Sequence, residues 1–129
     1  MMERLITAVI PVLMSRDVGA SLDYYRKLGF VVDFKDDENS PRYAGVSRDG
    51  AQLHLQWQDA AHWDNALDRP VYRFPVSDVH RAYAEFLASG ALASSAGSSS
   101  PWLKPAETPW GTTEFHVRDP DGNGLQFFS

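Results

Sequence analysis

The sequence predicts an α+β fold made of two tandem βαβββ modules. Three observations carry this: an internal repeat, a switch of hydrophobic period inside each copy, and turn residues where the period changes. Asp17-Val18 opens a stretch in which Val18, Leu22, Tyr25 and Leu28 share one helical face, and Gly29 closes it. Asp78-Val79 opens a second, with Val79, Tyr83, Phe86 and Leu87 on one face and Gly90 closing it. Both the Asp and the Gly recur at an offset of 61 residues. In each copy the Asp is suited to cap the first amides of a helix, and the Gly to the left-handed position after the last turn.

The elements follow in order. An apolar run over 8–14 reads as a buried first strand. The wider stretch Leu5 to Met14, following Arg4, resembles the core of a signal peptide, but Thr7 and Pro11 interrupt it, no small-residue cleavage pattern follows, and it is too short to cross a bilayer. After the first helix, 30–34 (FVVDF) and 42–48 read as strands, and Asp49-Gly50 marks a tight hairpin. Over 51–58 the pattern alternates, with Leu53, Leu55 and Trp57 on one face and Gln52, His54 and Gln56 on the other. The polar stretch 59–69, holding His62 and Trp63, reads as a linker able to pack over a cleft. The second module runs through a strand at 71–76, the second helix, a mobile Ser-rich loop at 93–100 and a poorly defined strand at 103–108. Strands at 113–117 and 125–128 follow, flanking the turn Asp119-Pro120-Asp121-Gly122-Asn123. The chain is therefore expected to be one domain over 1–129, with module 1 at 1–58, a linker at 59–69 and module 2 at 70–129. It forms a curved, mixed but mostly antiparallel sheet with its helices outside. The hollow face of such a sheet is a cleft for a ligand.

Composition narrows the function. Hydrophobic residues make up 43% and charged residues 22% of the chain, as in a globular protein. Cysteine is absent, which excludes disulfides, a thiolate nucleophile and a cysteine-based zinc site and suits the cytoplasm. The net charge of −5 disfavours nucleic acid and keeps the chain soluble, and it would also suit a cationic small molecule. The acidic run Asp36-Asp37-Glu38 reads as a solvated hairpin tip, or alternatively as an attractor for such a cation. No HxxxH, HExxH, GxSxG, phosphate-loop or dinucleotide motif is present. His54 and Glu114 are residues from which a cofactor-free acid–base pair could be assembled, although no motif requires it. His116 reads as a strand histidine facing solvent or a carbonyl.

Four segments in fixed order resemble the bleomycin-resistance proteins of the glyoxalase/bleomycin-resistance/dioxygenase superfamily. They are 8–30 (AVIPVLMSRDVGASLDYYRKLGF), the VVDFKDD and YAGVSRDG pair ending at Gly50, 109–123 (PWGTTEFHVRDPDGN), and the closing LQFF. The resemblance spans nearly the whole chain and implies the vicinal-oxygen-chelate fold. It further implies a cytoplasmic homodimer that exchanges its N-terminal strand and traps a cationic glycopeptide antibiotic of the bleomycin type in crevices at the interface. The drug is left unmodified, and no cofactor is needed beyond a metal arriving with it. Carried over motif by motif, Trp110 stands in PWG, Asp33 and Phe34 follow LGF, Tyr43 precedes AGV, and Gln56 lies on the strand after RDG. His54 completes this ligand-binding set of Asp33, Phe34, Tyr43, His54, Gln56 and Trp110. The 35–42 hairpin is longer than the tightest family pattern, His54 stands where an apolar or aromatic residue is usual, Gln56 replaces a small hydroxyl, and 57–68 match poorly.

The superfamily's enzymes hold one divalent metal through about four His, Gln or Glu side chains on the first and last strands of each module. By the family's usual spacing those positions fall at Ile10, Val71, His54 or Gln56, and Gln126. Two are hydrocarbon, so no catalytic residue and no metal site is expected. The competing readings are a metal-dependent lyase or dioxygenase using His54, His116 and Gln126, and a binder of some other small molecule. Trp63 and Trp102 are candidate covers for the pocket.

Overall fold

A computed structural model of the protein describes residues 4–59, 61, 71–95 and 100–129. The α+β, two-module expectation holds, with the sheet divided into two four-stranded halves. Module 1 contains β1 (Val12–Ser15), α1 (Val18–Lys27), β2 (Val31–Lys35), β3 (Tyr43–Arg48) and β4 (Ala51–Trp57), in sheet order β1-β4-β3-β2. Module 2 repeats this with β5 (Val71–Pro75), α2 (Val79–Ser89), β6 (Ala106–Glu107), β7 (Thr113–Arg118) and β8 (Gly124–Phe128), in order β5-β8-β7-β6. In each sheet the first strand pairs parallel with the last and the other pairings are antiparallel.

The helices start and stop where the repeat places them. The Asp17 carboxylate accepts from the Ala20 amide, and the Asp78 carboxylate from the amides of His80 and Arg81. Gly29 and Gly90 take the left-handed conformation, at φ 84° and 83°. On α1 all four predicted face residues are buried. On α2 Val79 and Phe86 are buried, while Leu87 is 58% exposed. Leu87 lies on the flank of its helix, outside the arc that meets the sheet. One face of each sheet meets its helix. Leu13, Leu53, Leu55, Ala44 and Val46 are buried in module 1, and Phe115, Val117, Leu125 and Phe127 in module 2. The alternation along β4 is as read for Leu53 and Leu55, whereas Trp57, last in its strand, stays 39% exposed and takes the Arg42 guanidinium over its ring.

Two strands are shorter than expected. The first begins at Val12 rather than residue 8. Among the described residues the backbone before it pairs with nothing apart from the Pro11 carbonyl, which accepts from the His54 amide, and Leu5, Ile6 and Val9 are 96%, 77% and 85% exposed. The strand expected at 103–108 is reduced to Ala106–Glu107, because Pro101–Leu103 forms a 3-10 turn capped by Ser100. A second such turn, Ala93–Ser95, opens the Ser-rich loop. Residues 96–99 of that loop, and His62 and Trp63 of the linker, lie outside the described residues.

The Asp119–Asn123 turn does more than reverse the chain. The Asp119 carboxylate, 3% exposed as a residue, accepts from the Tyr25 hydroxyl at 2.8 Å and from Asn123, whose side-chain amide also donates to the Met14 carbonyl. Asp121 accepts from Arg16 and from the Ser21 hydroxyl. The turn of module 2 is thus bolted to α1 and β1 of module 1. Burial, followed by the nearby Asp119 charge, pushes the Tyr25 phenol well above its ordinary range. Burial likewise raises the Asp119 carboxyl, against the hydrogen bonds that favour its charged form.

Candidate functional site

The faces of the two sheets turned away from the helices carry the chemistry. In module 1 a β-bulge between Val32 and Phe34 inserts Asp33 as an extra residue in β2. Beyond it Phe34 pairs with Gly45, Gly45 with His54, and His54 with Val12, so one row crosses the sheet. The bulge turns Asp33 and Phe34 to the same side: Asp33 accepts from the Ser47 hydroxyl, while the Phe34 ring meets His54 and Tyr43. Phe34 and Tyr43 lie 6.1 Å apart with 19° between their planes, and His54 stands edge-on to both, at 5.2 and 5.3 Å. A hydrogen bond of 2.7 Å joins the Tyr43 hydroxyl to His54 Nδ1. Gly45 makes room for this cluster, since a Cβ there would run into the Phe34 ring. Phe34 remains 43% exposed. Gln56 is the register partner of both Tyr43 and Met14, at the same end of the sheet.

Five of the six sequence-predicted ligand residues are therefore gathered on one wall. The sixth, Trp110, is in module 2 beside the turn before β7. It is 61% exposed and tilted 32° against Trp102 at 6.4 Å. It makes no ring contact with the module 1 cluster among the described residues.

Of the wall of module 2 the sequence reading names Glu114, His116 and Gln126 one by one, but neither Arg73 nor the network that joins them. Arg73, Gln126 and His116 form one row across β5, β8 and β7. At its centre is Glu114, 0% exposed, which accepts from both terminal nitrogens of Arg73, from the Thr112 hydroxyl at 2.7 Å and from His116 Nε2 at 2.7 Å. Burial is the largest influence on this carboxyl and raises its pKa, but the bonds from Arg73, His116 and Thr112 together with the Arg73 charge outweigh it and hold it at about 2. Arg73 also donates to Gln126 Oε1 at 2.7 Å and lies over the Phe128 ring at 4.2 Å. The sequence reading put His116 toward solvent or a carbonyl; the structure turns its Nε2 onto Glu114 and stacks Trp102 on its ring at 5.2 Å and 26°, leaving the side chain partly exposed. Glu114 cannot serve as the partner of His54 in acid–base work, because it belongs to the opposite module and its oxygens are committed. The periodicity of β7 places Glu114 and His116 on one face of the strand, which is the signal a sequence reading could have used.

The acidic hairpin tip holds its own loop. Asp36 accepts from the amides of Arg42 and Tyr43, and Asp37 from those of Asn39 and Ser40. These backbone bonds lower both carboxyl pKa values.

Of the family's metal positions, Ile10 precedes β1 and Val71 begins β5. The first-strand residues in register with His54 and Gln126 are Val12 and Arg73. A hydrocarbon and a guanidinium offer a cation no lone pair. Among the described residues no three His, Asp or Glu side chains are grouped to hold a metal ion, and no helix is long and apolar enough to cross a membrane.

Residues 7–127 match the sequence model of the Glyoxalase/Bleomycin resistance protein/Dioxygenase superfamily. The chain belongs to this superfamily. Among solved structures of the same fold, the bleomycin-binding protein from bleomycin-producing Streptomyces verticillus, complexed with copper(II)-bleomycin, is 30% identical, with 98% of this chain and 97% of that one covered and a TM-score of 0.70. Another bleomycin-binding protein complexed with bleomycin is 22% identical, covers 96% of this chain and 98% of its own, and has a TM-score of 0.78. A glyoxalase-related enzyme from Clostridium phytofermentans is 18% identical over 97% and 95% of the two chains, with a TM-score of 0.69. Proteins described as bleomycin-binding and one described as a glyoxalase-related enzyme are thus both among the structures that share this fold. No curated protein sequence matches the chain at a significant level.

Proposed function

We propose that the protein binds and sequesters a cationic, bleomycin-type glycopeptide without modifying it, in crevices completed by a second copy of the chain. The observation that carries this is the open wall of Phe34, Tyr43 and His54 beside the Asp33 carboxylate. Flat rings exposed on a rigid sheet suit a planar heteroaromatic group, at about 0.5–1.5 kcal/mol of stacking beyond area burial. Asp33 adds attraction for a cation. The bleomycin-bound relatives support the ligand class.

The largely apolar arm at 5–10, unpaired among the described residues, supports a strand-exchanged homodimer. In a lone chain it leaves Leu5, Ile6 and Val9 in water, and laid on a partner it would supply the strand the sequence predicts at 8–14. In that assembly Trp110 of one subunit faces the Phe34 wall of the other, which explains why one chain does not bring them together. The ligand is held from two walls, and any metal present arrives with it. Nothing in this reading calls for nucleic acid or a membrane, and cytoplasmic residence follows from its use against an internalised drug.

Calorimetric titration with copper(II)-bleomycin tests the proposal. Micromolar or tighter binding, lost in Phe34→Ala and in Trp110→Ala, with the drug recovered at unchanged mass, is the expected result. No heat with copper(II)-bleomycin alongside tight binding of a different aromatic metabolite moves the function to that ligand. Stoichiometric zinc, nickel or iron in protein purified without chelator, with turnover of a substrate, overturns the non-enzymatic reading.

A further inference from the structure

The module 2 wall holds two polar atoms whose direction is set by their neighbours. Arg73 donates to Gln126 Oε1, which leaves the Gln126 amide to present its N–H pair. Glu114 is held ionised and accepts at His116 Nε2, so a neutral imidazole carries its proton on Nε2 and its lone pair on Nδ1. The stack with Trp102 fixes the ring plane. Among the described residues neither Gln126 Nε2 nor His116 Nδ1 has a hydrogen-bond partner. The two residues are cross-strand register partners on one face of β7 and β8, where side chains stand about 5 Å apart. Both line a cavity of about 330 Å³ together with Val71, Gly124, Ser100 and Leu103, a volume at the lower end for small-molecule sites.

We propose that Gln126 and His116 form a donor–acceptor pair that reads a primary carboxamide, or an equivalent planar group with an acceptor and an N–H side by side, on the bound ligand. The carboxamide oxygen accepts from Gln126 and its N–H donates to His116 Nδ1. A carboxylate in its place offers no N–H to Nδ1 and is rejected by the unmet acceptor. Arg73 and Glu114 are positioning residues for this pair. The inference deepens the binding-protein reading and rests on it for the glycopeptide, but not for the chemistry of the pair.

Ligand-observed saturation-transfer NMR with nicotinamide and nicotinate, two flat probes differing in this one group, provides the test. The expected result is millimolar binding of nicotinamide, none of nicotinate, and a loss of about tenfold or more in nicotinamide affinity in Gln126→Glu and in His116→Phe. Thermal melts establish that the variants fold, and Gln126→Glu, isosteric and still paired with Arg73, decides the matter if His116→Phe does not. Equal binding of the two probes, no binding of nicotinamide, or nicotinamide binding unchanged in Gln126→Glu overturns the proposal. Calorimetry with copper(II)-bleomycin on the same proteins separates the two ideas. If wild type ignores the drug while nicotinamide binding still depends on the pair, the glycopeptide reading fails and the pair stands. If the drug binds wild type and both variants alike and nicotinamide does not bind, the pair fails and the glycopeptide reading stands.

Discussion

Replacing Glu114 with Gln removes one charge and changes almost no volume. The fold holds this carboxyl at about 2 against an ordinary 4.5, a gap that corresponds to about 3 kcal/mol of preference for the ionised form. Arg73 is 39% exposed and regains part of its solvation when its partner is lost, so a loss of about 2–3 kcal/mol at pH 7 is expected. For a domain of this size that lowers the melting temperature by roughly 10 °C. Because the native pKa is depressed, the stabilisation is fully present above the unfolded value of 4.5 and is lost as pH falls toward 2. The gap between wild type and Glu114→Gln should therefore be constant from pH 7 to 5 and shrink to about half by pH 3. Urea unfolding of both proteins across this range, at one protein concentration, measures it. Equal midpoints at pH 7, or a gap that does not narrow between pH 5 and 3, would refute the idea that the Arg73, His116 and Thr112 bonds hold an ionised carboxylate in place.

Gly45→Ala places a methyl group against the Phe34 ring; the ring is exposed enough to swing aside, so stability should change by less than about 1 kcal/mol while drug affinity in calorimetry falls about tenfold or more, and unaltered affinity would show that the Phe34 position does not matter. Charges in the N-terminal arm, as in the double variant Ile6→Asp and Val9→Asp, should convert a dimer to a monomer in sedimentation velocity and abolish drug binding together; a dimer that persists would locate the interface elsewhere. Tyr25→Phe deletes the buried bond to Asp119 that joins the modules and should cost about 1–2 kcal/mol in urea unfolding, with a loss near zero indicating that the bonds from Asn123, Arg16 and Ser21 suffice to hold the turn.

Repeat, helices and most strands were legible in the residues because they follow local rules. Asp17 and Asp78 cap, Gly29 and Gly90 stop, and Val18, Leu22, Tyr25 and Leu28 share a face, all at separations of a few residues. The order of the motifs carried the resemblance to the superfamily, and through it the expectation of an aromatic wall. The tertiary structure alone decided three things. Asp33 and Phe34 reach the same wall only because of a bulge that depends on the pairing of β2 with β3. Glu114, Arg73 and Gln126 become one network only when β5, β7 and β8 align, across separations of 41 and 53 residues. Asp119–Asn123 reads as an ordinary turn until α1 and β1 close on it from about a hundred positions away. Capping and periodicity are set by neighbours in the chain, whereas register, ion pairing and the tie between modules exist only between segments brought together by folding.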